Sequence, residues 1–339
     1  MKKILICLLF VMAVAGGLTA FGGGAASSSQ SEATPEDSLV NVIAWFNKHD
    51  SVTYMVTETS WKYNGNDTVL KAGSQMKVLI NVVDSTAEGY KMEYTFLDFP
   101  SVAVPDSASA VAKFQNQIIA KFADKIIGTT VRFETDIYGK ITKYNNLGQI
   151  KRQAKSLFKD AMKELSRLPE MKVLKALGLN INDLTKKIDT DQLVDGYLEE
   201  LNMLFNYHGN AFRIGEFTGN NEATDTEPEN TAFLSVEIDS EDGSYQILSD
   251  IVSVIPRSEL KKLLGGILES VSDKTITESF NENFDKQVGE DGSKDVLFRI
   301  DYLSNGWPYF AVLQKTTDIS GRGEIRQLQI NIDSYHFAH

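Results

Sequence analysis

Residues 76–96 read Met-Lys-Val-Leu-Ile-Asn-Val-Val-Asp-Ser-Thr-Ala-Glu-Gly-Tyr-Lys-Met-Glu-Tyr-Thr-Phe. Met76, Val78, Ile80 and Val82 alternate with Lys77 and Asn81, and Tyr90, Met92, Tyr94 and Phe96 alternate with Lys91, Glu93 and Thr95. A period of two puts one set of side chains on a single face of an extended chain. Glu88-Gly89 between the runs supplies the turn, so the stretch predicts an antiparallel hairpin with one apolar face.

The same signals recur along the chain. Asn64-Gly65, Tyr138-Gly139, Asp242-Gly243, Asn305-Gly306 and Gly321-Arg322-Gly323 mark five further turns, and together the turns predict about ten to twelve antiparallel strands. One pattern, apolar alternation, then Asp, then a turn Gly, appears three times: Val131 to Asp136 before Gly139, Leu234 to Asp239 before Gly243, and Val296 to Asp301 before Gly306. It reads either as the trace of a sheet duplicated between residues 34–146 and 211–337 or as the ordinary repetition of an antiparallel meander.

Helical spacing interrupts the strands in a block. The stripes predict helices over Asp106–Ile126, Leu147–Leu168 (closed by Pro169), Met171–Leu177 and Asp189–Phe205, with another after Pro256 carrying Leu260, Leu263, Leu264, Ile267, Leu268 and Val271. Thr34-Pro35-Glu36-Asp37 resembles a helix start, and Leu39, Val42, Ile43 and Phe46 then share a helical face, so a further helix is expected there. Glu216 to Asn230 has five acids and no base and is expected to be a loop. Strands, helices, then strands again predict an α+β fold: a large, curved antiparallel sheet with amphipathic helices across one face. The expected segments are 34–146 (helix and meander), 147–210 (helical block) and 211–339 (meander with one helix), within one or more domains.

Residues 1–20 carry the order of a secretory signal peptide: Lys2 and Lys3, an apolar run from Ile4 to Ala15, then small residues to Ala20. A Gly/Ser/Ala tether follows over 21–33. The expected product is exported, to the periplasm or beyond, with no membrane-spanning segment once the signal is removed. The single cysteine, Cys7, lies within the apolar run rather than at a cleavage point, so neither a lipid anchor nor a disulfide is expected. The net charge of −12 becomes −14 without the signal lysines, which argues against a nucleic-acid partner.

No catalytic pattern stands out. There is no Gly-x-Ser-x-Gly, no phosphate-cradling glycine loop, and the four histidines (His49, His208, His336, His339) are scattered. No cofactor and no metal site is expected. Asp239 to Gly243 looks superficially like a calcium loop but lacks its spacing and distal Glu. Carboxylate pairs such as Glu199-Glu200 leave a hydrolase as a remote alternative, because glycoside hydrolysis needs only two carboxyls in a cleft.

Two features point to binding. From Lys140 to Lys187 there are twelve Lys/Arg against four Asp/Glu, and Lys151, Lys155, Lys159 and Lys163 recur at i+4 along one helix edge. That edge suits an anionic head group or an acidic partner; alternatively it pairs within the fold with Asp191, Asp195, Glu199 and Glu200. Aromatics on expected strands and turns, notably Trp61, Tyr94, Phe133, Trp307 and Tyr309, either line an apolar pocket or fill an ordinary core.

The hairpin VRFETDIYGKITKY (Val131–Tyr144) and the segment VLFRIDYLSNGWPYF (Val296–Phe310) resemble the sheet repeats of uncharacterised exported β-rich proteins of Gram-negative gut-type bacteria. By architecture the chain is similar to the periplasmic lipoprotein-carrier type of half-barrel closed by helices. No functional residue carries over from either group, and many lipid-anchored members have an anchoring cysteine that this chain lacks. The expected function is a non-enzymatic binding or carrier protein for a lipid or other amphipathic small molecule. The alternative is an interaction module that docks an envelope protein without a pocket.

Overall fold

The computed structural model describes residues 39–98, 127–165, 198–223, 228–262, 284 and 288–338. The strands are β1 (Leu39–Asn41), β2 (Ser51–Asn64), β3 (Asp67–Thr86), β4 (Gly89–Phe96), β5 (Thr130–Thr135), β6 (Ile141–Tyr144), β7 (Ala211–Arg213), β8 (Gly215–Asn221), β9 (Asn230–Ile238), β10 (Tyr245–Ile255), β11 (Gly292–Tyr302), β12 (Pro308–Ile319) and β13 (Arg322–His336). Among the described residues, two helices stand between β6 and β7: α1 (Leu147–Leu165) and α2 (Glu199–Phe205). Residues 257–262 are also helical. The expected signal peptide, the tether, and the helices over 106–126 and 171–177 lie outside the described residues.

Eleven strands form one antiparallel sheet in the order β6-β5-β4-β3-β2-β13-β12-β11-β10-β9-β8. The chain enters at the centre, meanders to one edge, crosses by way of the helices to the far edge, and meanders back. β2 and β13, separated by most of the chain, then pair along fourteen register positions from Arg322↔Asn64 to His336↔Ser51. The six turns expected from glycine pairs each join neighbouring strands.

The sheet is strongly curved. β5 and β10 stand seven places apart, which would put them roughly 34 Å apart in a flat sheet at ~4.8 Å per strand. Yet neighbouring residues of one segment reach both: the Phe205 ring lies 5.5 Å from Phe133 of β5, and Tyr207 OH donates to Ser249 Oγ of β10 at 3.4 Å. Only a sheet bent around residues 199–208 allows this. The enclosed face is the concave one, and it carries Tyr54, Val78, Tyr94, Phe133, Ile247, Ile300 and Ile330 into a single buried core.

Two expectations are corrected. Residues 39–46 form no helix. β1 pairs with β7, and the extended chain then crosses one end of the sheet as a strap. Val42 N–H donates to Asn210 O (2.9 Å), Ala44 N–H to Tyr138 O (3.0 Å) and Trp45 N–H to Asn305 O (3.0 Å), so three separate loops are sewn to it. Val40, Val42, Ala44 and Phe46 are buried while Trp45 is exposed, a period of two that overlaps the helical spacing of Leu39, Val42, Ile43 and Phe46. Backbone partners supplied by distant loops decided between the two periods. The acidic stretch expected as a loop contains the edge strand β8, registered with β9 from Gly215↔Val236 to Asn221↔Asn230. An edge strand buries little and tolerates polar residues, so its composition hides it.

Candidate ligand-binding site on the concave face

Cross-strand register divides the concave face into two zones. Nearer the strap, β2 contributes Val52, Tyr54 and Val56, opposite Ile80, Val78 and Met76 of β3. This end is closed by rings. Phe46 stacks on Trp307 with centroids 4.2 Å apart, and Tyr90, Phe205 and His208 surround it. Gly306 allows the closure: its φ is +82°, and a side chain there would collide with the Ile43 carbonyl. His208 is completely buried, and its Nε2–H donates to Gly306 O at 3.0 Å because a carbonyl can only accept. Burial holds its pKa down at about 4, so the ring is neutral.

Farther along the same strands the apolar alternation breaks. β2 continues with Glu58 and Ser60, β12 follows Ala311 and Leu313 with Lys315, and β13 places Arg326 before Leu328 and Ile330. Lys315 and Arg326 are directly paired across β12 and β13, and Ser60 stands opposite Arg326. Two cations in such a pair repel unless acids intervene. They do: Lys315 Nζ lies 2.9 Å from Glu199 Oε1, and Arg326 Nε lies 2.9 Å from Glu324 Oε1. Glu58 is solvent-exposed but sits among enough protein atoms for desolvation to raise its carboxyl pKa, against the pull of Arg326.

Glu200 follows Glu199 on α2 and turns into the interior, where its Oε2 has no hydrogen-bond partner among the described residues. Burial, reinforced by the negative charges of Glu199 and Glu58, raises its pKa to about 8. At neutral pH it is therefore a protonated acid, a donor set beside the aliphatic rows of the concave face. The Tyr94 hydroxyl, within electrostatic reach of Glu200, is likewise buried without a partner among the described residues.

The aromatics named from the sequence do not line one cavity. Tyr94, Phe133 and Trp307 are wholly buried members of the core. Trp61 lies on the opposite face of β2 from Ser60, paired with Ile325, and Tyr309 is 38% exposed at the convex side. Along α1, Lys155, Lys159 and Lys163 are exposed and Lys151 is half-buried, so the basic edge exists as one surface strip beside the edge of the sheet. Of the acids named as its alternative partners, Glu199 binds Lys315 and Glu200 is buried, while Asp191 and Asp195 lie outside the described residues. Glu58, Lys315 and Arg326 were missed, although a charged residue at an inward position of an alternating strand was the available signal. The Asp239–Gly243 segment is a turn, closed by Gly243 N–H to Asp239 O at 2.9 Å and Glu241 N–H to Asp239 Oδ1 at 2.8 Å. Among the described residues no helix is long and apolar enough to cross a membrane.

No protein-family model and no curated protein matches the chain. Among solved structures it is similar to lipovitellin, in a structure described for its lipid–protein interactions, at 9% identity and a TM-score of 0.35. The likeness covers 87% of this chain and 26% of that one, so the chain spans about a quarter of the length of the protein it matches.

Proposed function

We propose that this is an exported, non-enzymatic binding or carrier protein that holds an apolar or amphipathic ligand, such as a lipid or a lipoprotein acyl chain, against the concave face. The observation that carries the reading is the pair of buried polar groups, Glu200 Oε2 and Tyr94 OH, without partners among the described residues beside the aliphatic rows of the concave face. Leaving such a group unsatisfied costs about 1–3 kcal/mol. A head group with a hydroxyl or amide would recover that loss while its chain lies along the aliphatic wall. The exposed strip of Lys155, Lys159 and Lys163 supports an anionic head group or membrane surface at the sheet edge. The signal-peptide order of residues 1–20 supports export.

The test is native mass spectrometry of the protein exported by a bacterial host and purified without detergent. A stoichiometric apolar adduct, diminished in Glu200→Leu, is the expected result. A clean ligand-free mass overturns the carrier reading and moves the assignment to a surface that docks an envelope protein through the basic edge of α1.

A further inference from the structure

On the opposite, convex face, β11, β12 and β13 border a shallow, open depression of about 560 Å³ near the strap end. Its floor is an assembled unit. Arg299 donates from Nε to Asp301 Oδ1 (2.9 Å) and from Nη2 to Asp301 Oδ2 (2.7 Å), and the guanidinium lies over the Phe310 ring at 5.3 Å. Asp301 is only 3% exposed, whereas the Arg299 side chain is 41% exposed. Two guanidinium N–H groups are thus committed and the others remain to meet a ligand.

The walls are two tyrosines, one at a break in the strand register and the other two residues beyond a second break. The pairing Asp301↔Phe310 is followed by Tyr302↔Pro308, so Tyr309 is the extra residue of a β-bulge in β12. In β13 the pairing Ile332↔Tyr54 is followed by Ser334↔Thr53, which makes Asp333 a second bulged residue, tied to Lys77 Nζ at 2.9 Å; two residues on, Tyr335 pairs regularly with Val52, and one face of its ring stacks on Phe337 with centroids 4.7 Å apart, leaving the other face outward. Bulges re-aim side chains beside sites. Tyr309 is 38% and Tyr335 62% exposed, while neighbouring aromatic side chains such as Trp307 are spent on the core.

We infer that this convex depression is a carbohydrate-binding site, with Tyr309 and Tyr335 as stacking platforms and Arg299 and Asn331 as hydrogen-bonding partners for an uncharged saccharide. The charge on the floor cancels within the Arg299–Asp301 pair, and Asp239, Asp242 and Glu237 lie within electrostatic reach of Tyr309 or Arg299. An anionic ligand would meet that acidic surround, and a cation would meet the guanidinium. A neutral ring with hydroxyls on its rim and C–H groups on its faces meets neither obstacle. The inference does not depend on the concave-face reading, because it uses different residues on the other side of the sheet.

The test is isothermal calorimetry of the full exported chain with maltohexaose, cellohexaose and chitohexaose, with heparin hexasaccharide as the anionic probe. At least one neutral hexasaccharide should give a saturable isotherm, little changed by salt. Tyr309→Ala and Tyr335→Ala should each weaken it by at least about tenfold. Tyr309→Phe, which keeps the ring, and Tyr138→Ala, which removes an exposed tyrosine from another turn, should leave it within about threefold. Circular dichroism of each variant establishes that the fold is retained. No heat with any neutral probe, equal binding in the two alanine variants, or a preference for heparin overturns the assignment.

Discussion

The strap end of the concave face and the polar stretch of the same wall lie on the same strands yet solve burial in opposite ways. At the strap end, Phe46, Trp307, Phe205 and Tyr90 fill the space with rings, and the histidine among them, His208, is a base held neutral. Along the wall, Glu58, Lys315 and Arg326 interrupt the aliphatic rows, and the buried ionisable group, Glu200, is an acid held neutral. Desolvation acts on both in the same way, by disfavouring charge, but the proton counts run in opposite directions. The strap end is therefore where rings secure the fold, although the Trp307 indole N–H and His208 Nδ1 also lack partners among the described residues, and the wall is where a protonated acid is held ready to donate.

The largest effect separating the regions should come from Trp307→Ala. Trp307 is wholly buried, stacked on Phe46, with its indole N–H unpartnered among the described residues. Truncation opens a cavity beneath the strap and should lower stability by about 3–5 kcal/mol in urea denaturation. A loss below about 1 kcal/mol would mean the strap end is not a packed plug.

Next is Glu200→Gln. The folded-state pKa of about 8 exceeds the ordinary value of 4.5. Between those values the folded protein holds a proton that the unfolded chain has released, so parent stability falls as pH rises from 4.5 to 8, by up to about 1.4 kcal/mol per pH unit. Gln cannot ionise. Denaturation midpoints measured across this range should show the variant gaining about 3 kcal/mol on the parent between pH 4.5 and pH 7. Parallel curves for the two proteins would place Glu200 in contact with water rather than in the wall.

How far these regions were legible in the sequence follows from how local their causes are. Turns such as Asn64-Gly65 and Asn305-Gly306 were readable because positive φ at Gly65 and Gly306 is a local demand that glycine meets. The alternation of Tyr90, Met92, Tyr94 and Phe96 likewise announced β4. The closing pair β2–β13 was not readable, since nothing near Thr57 says that Gln329 lies opposite it. The strap was misread as a helix because its partners, Asn210, Tyr138 and Asn305, come from three distant loops. The wall was half legible: Lys315 after Ala311 and Leu313 breaks a visible rhythm, but its partner Glu199 is 116 residues away. The sequence named Tyr94 correctly as an inward residue without showing that its neighbour would be Glu200.

The smallest of these effects, and the one that sharpens the comparison most, comes from His208→Gln. Its folded-state pKa of about 4 lies below the ordinary 6.5. Between those values the unfolded chain binds a proton that the folded protein refuses, so this group's contribution is present above pH 6.5 and lost as pH falls toward 4. Against Glu200 the two slopes cancel where they overlap. The parent should show a stability plateau between about pH 4.5 and 6.5, falling on both sides. Gln keeps an N–H donor for the Gly306 carbonyl and removes the titration. Relative to the parent, the variant should gain about 2 kcal/mol between pH 7 and pH 5, and its plateau should tilt so that stability declines steadily from pH 4.5 to 8. Stability measured at half-unit pH intervals distinguishes the cases. A variant whose plateau stays flat would show that the base at the strap end and the acid in the wall are not opposed, and that the two regions share one solvent environment.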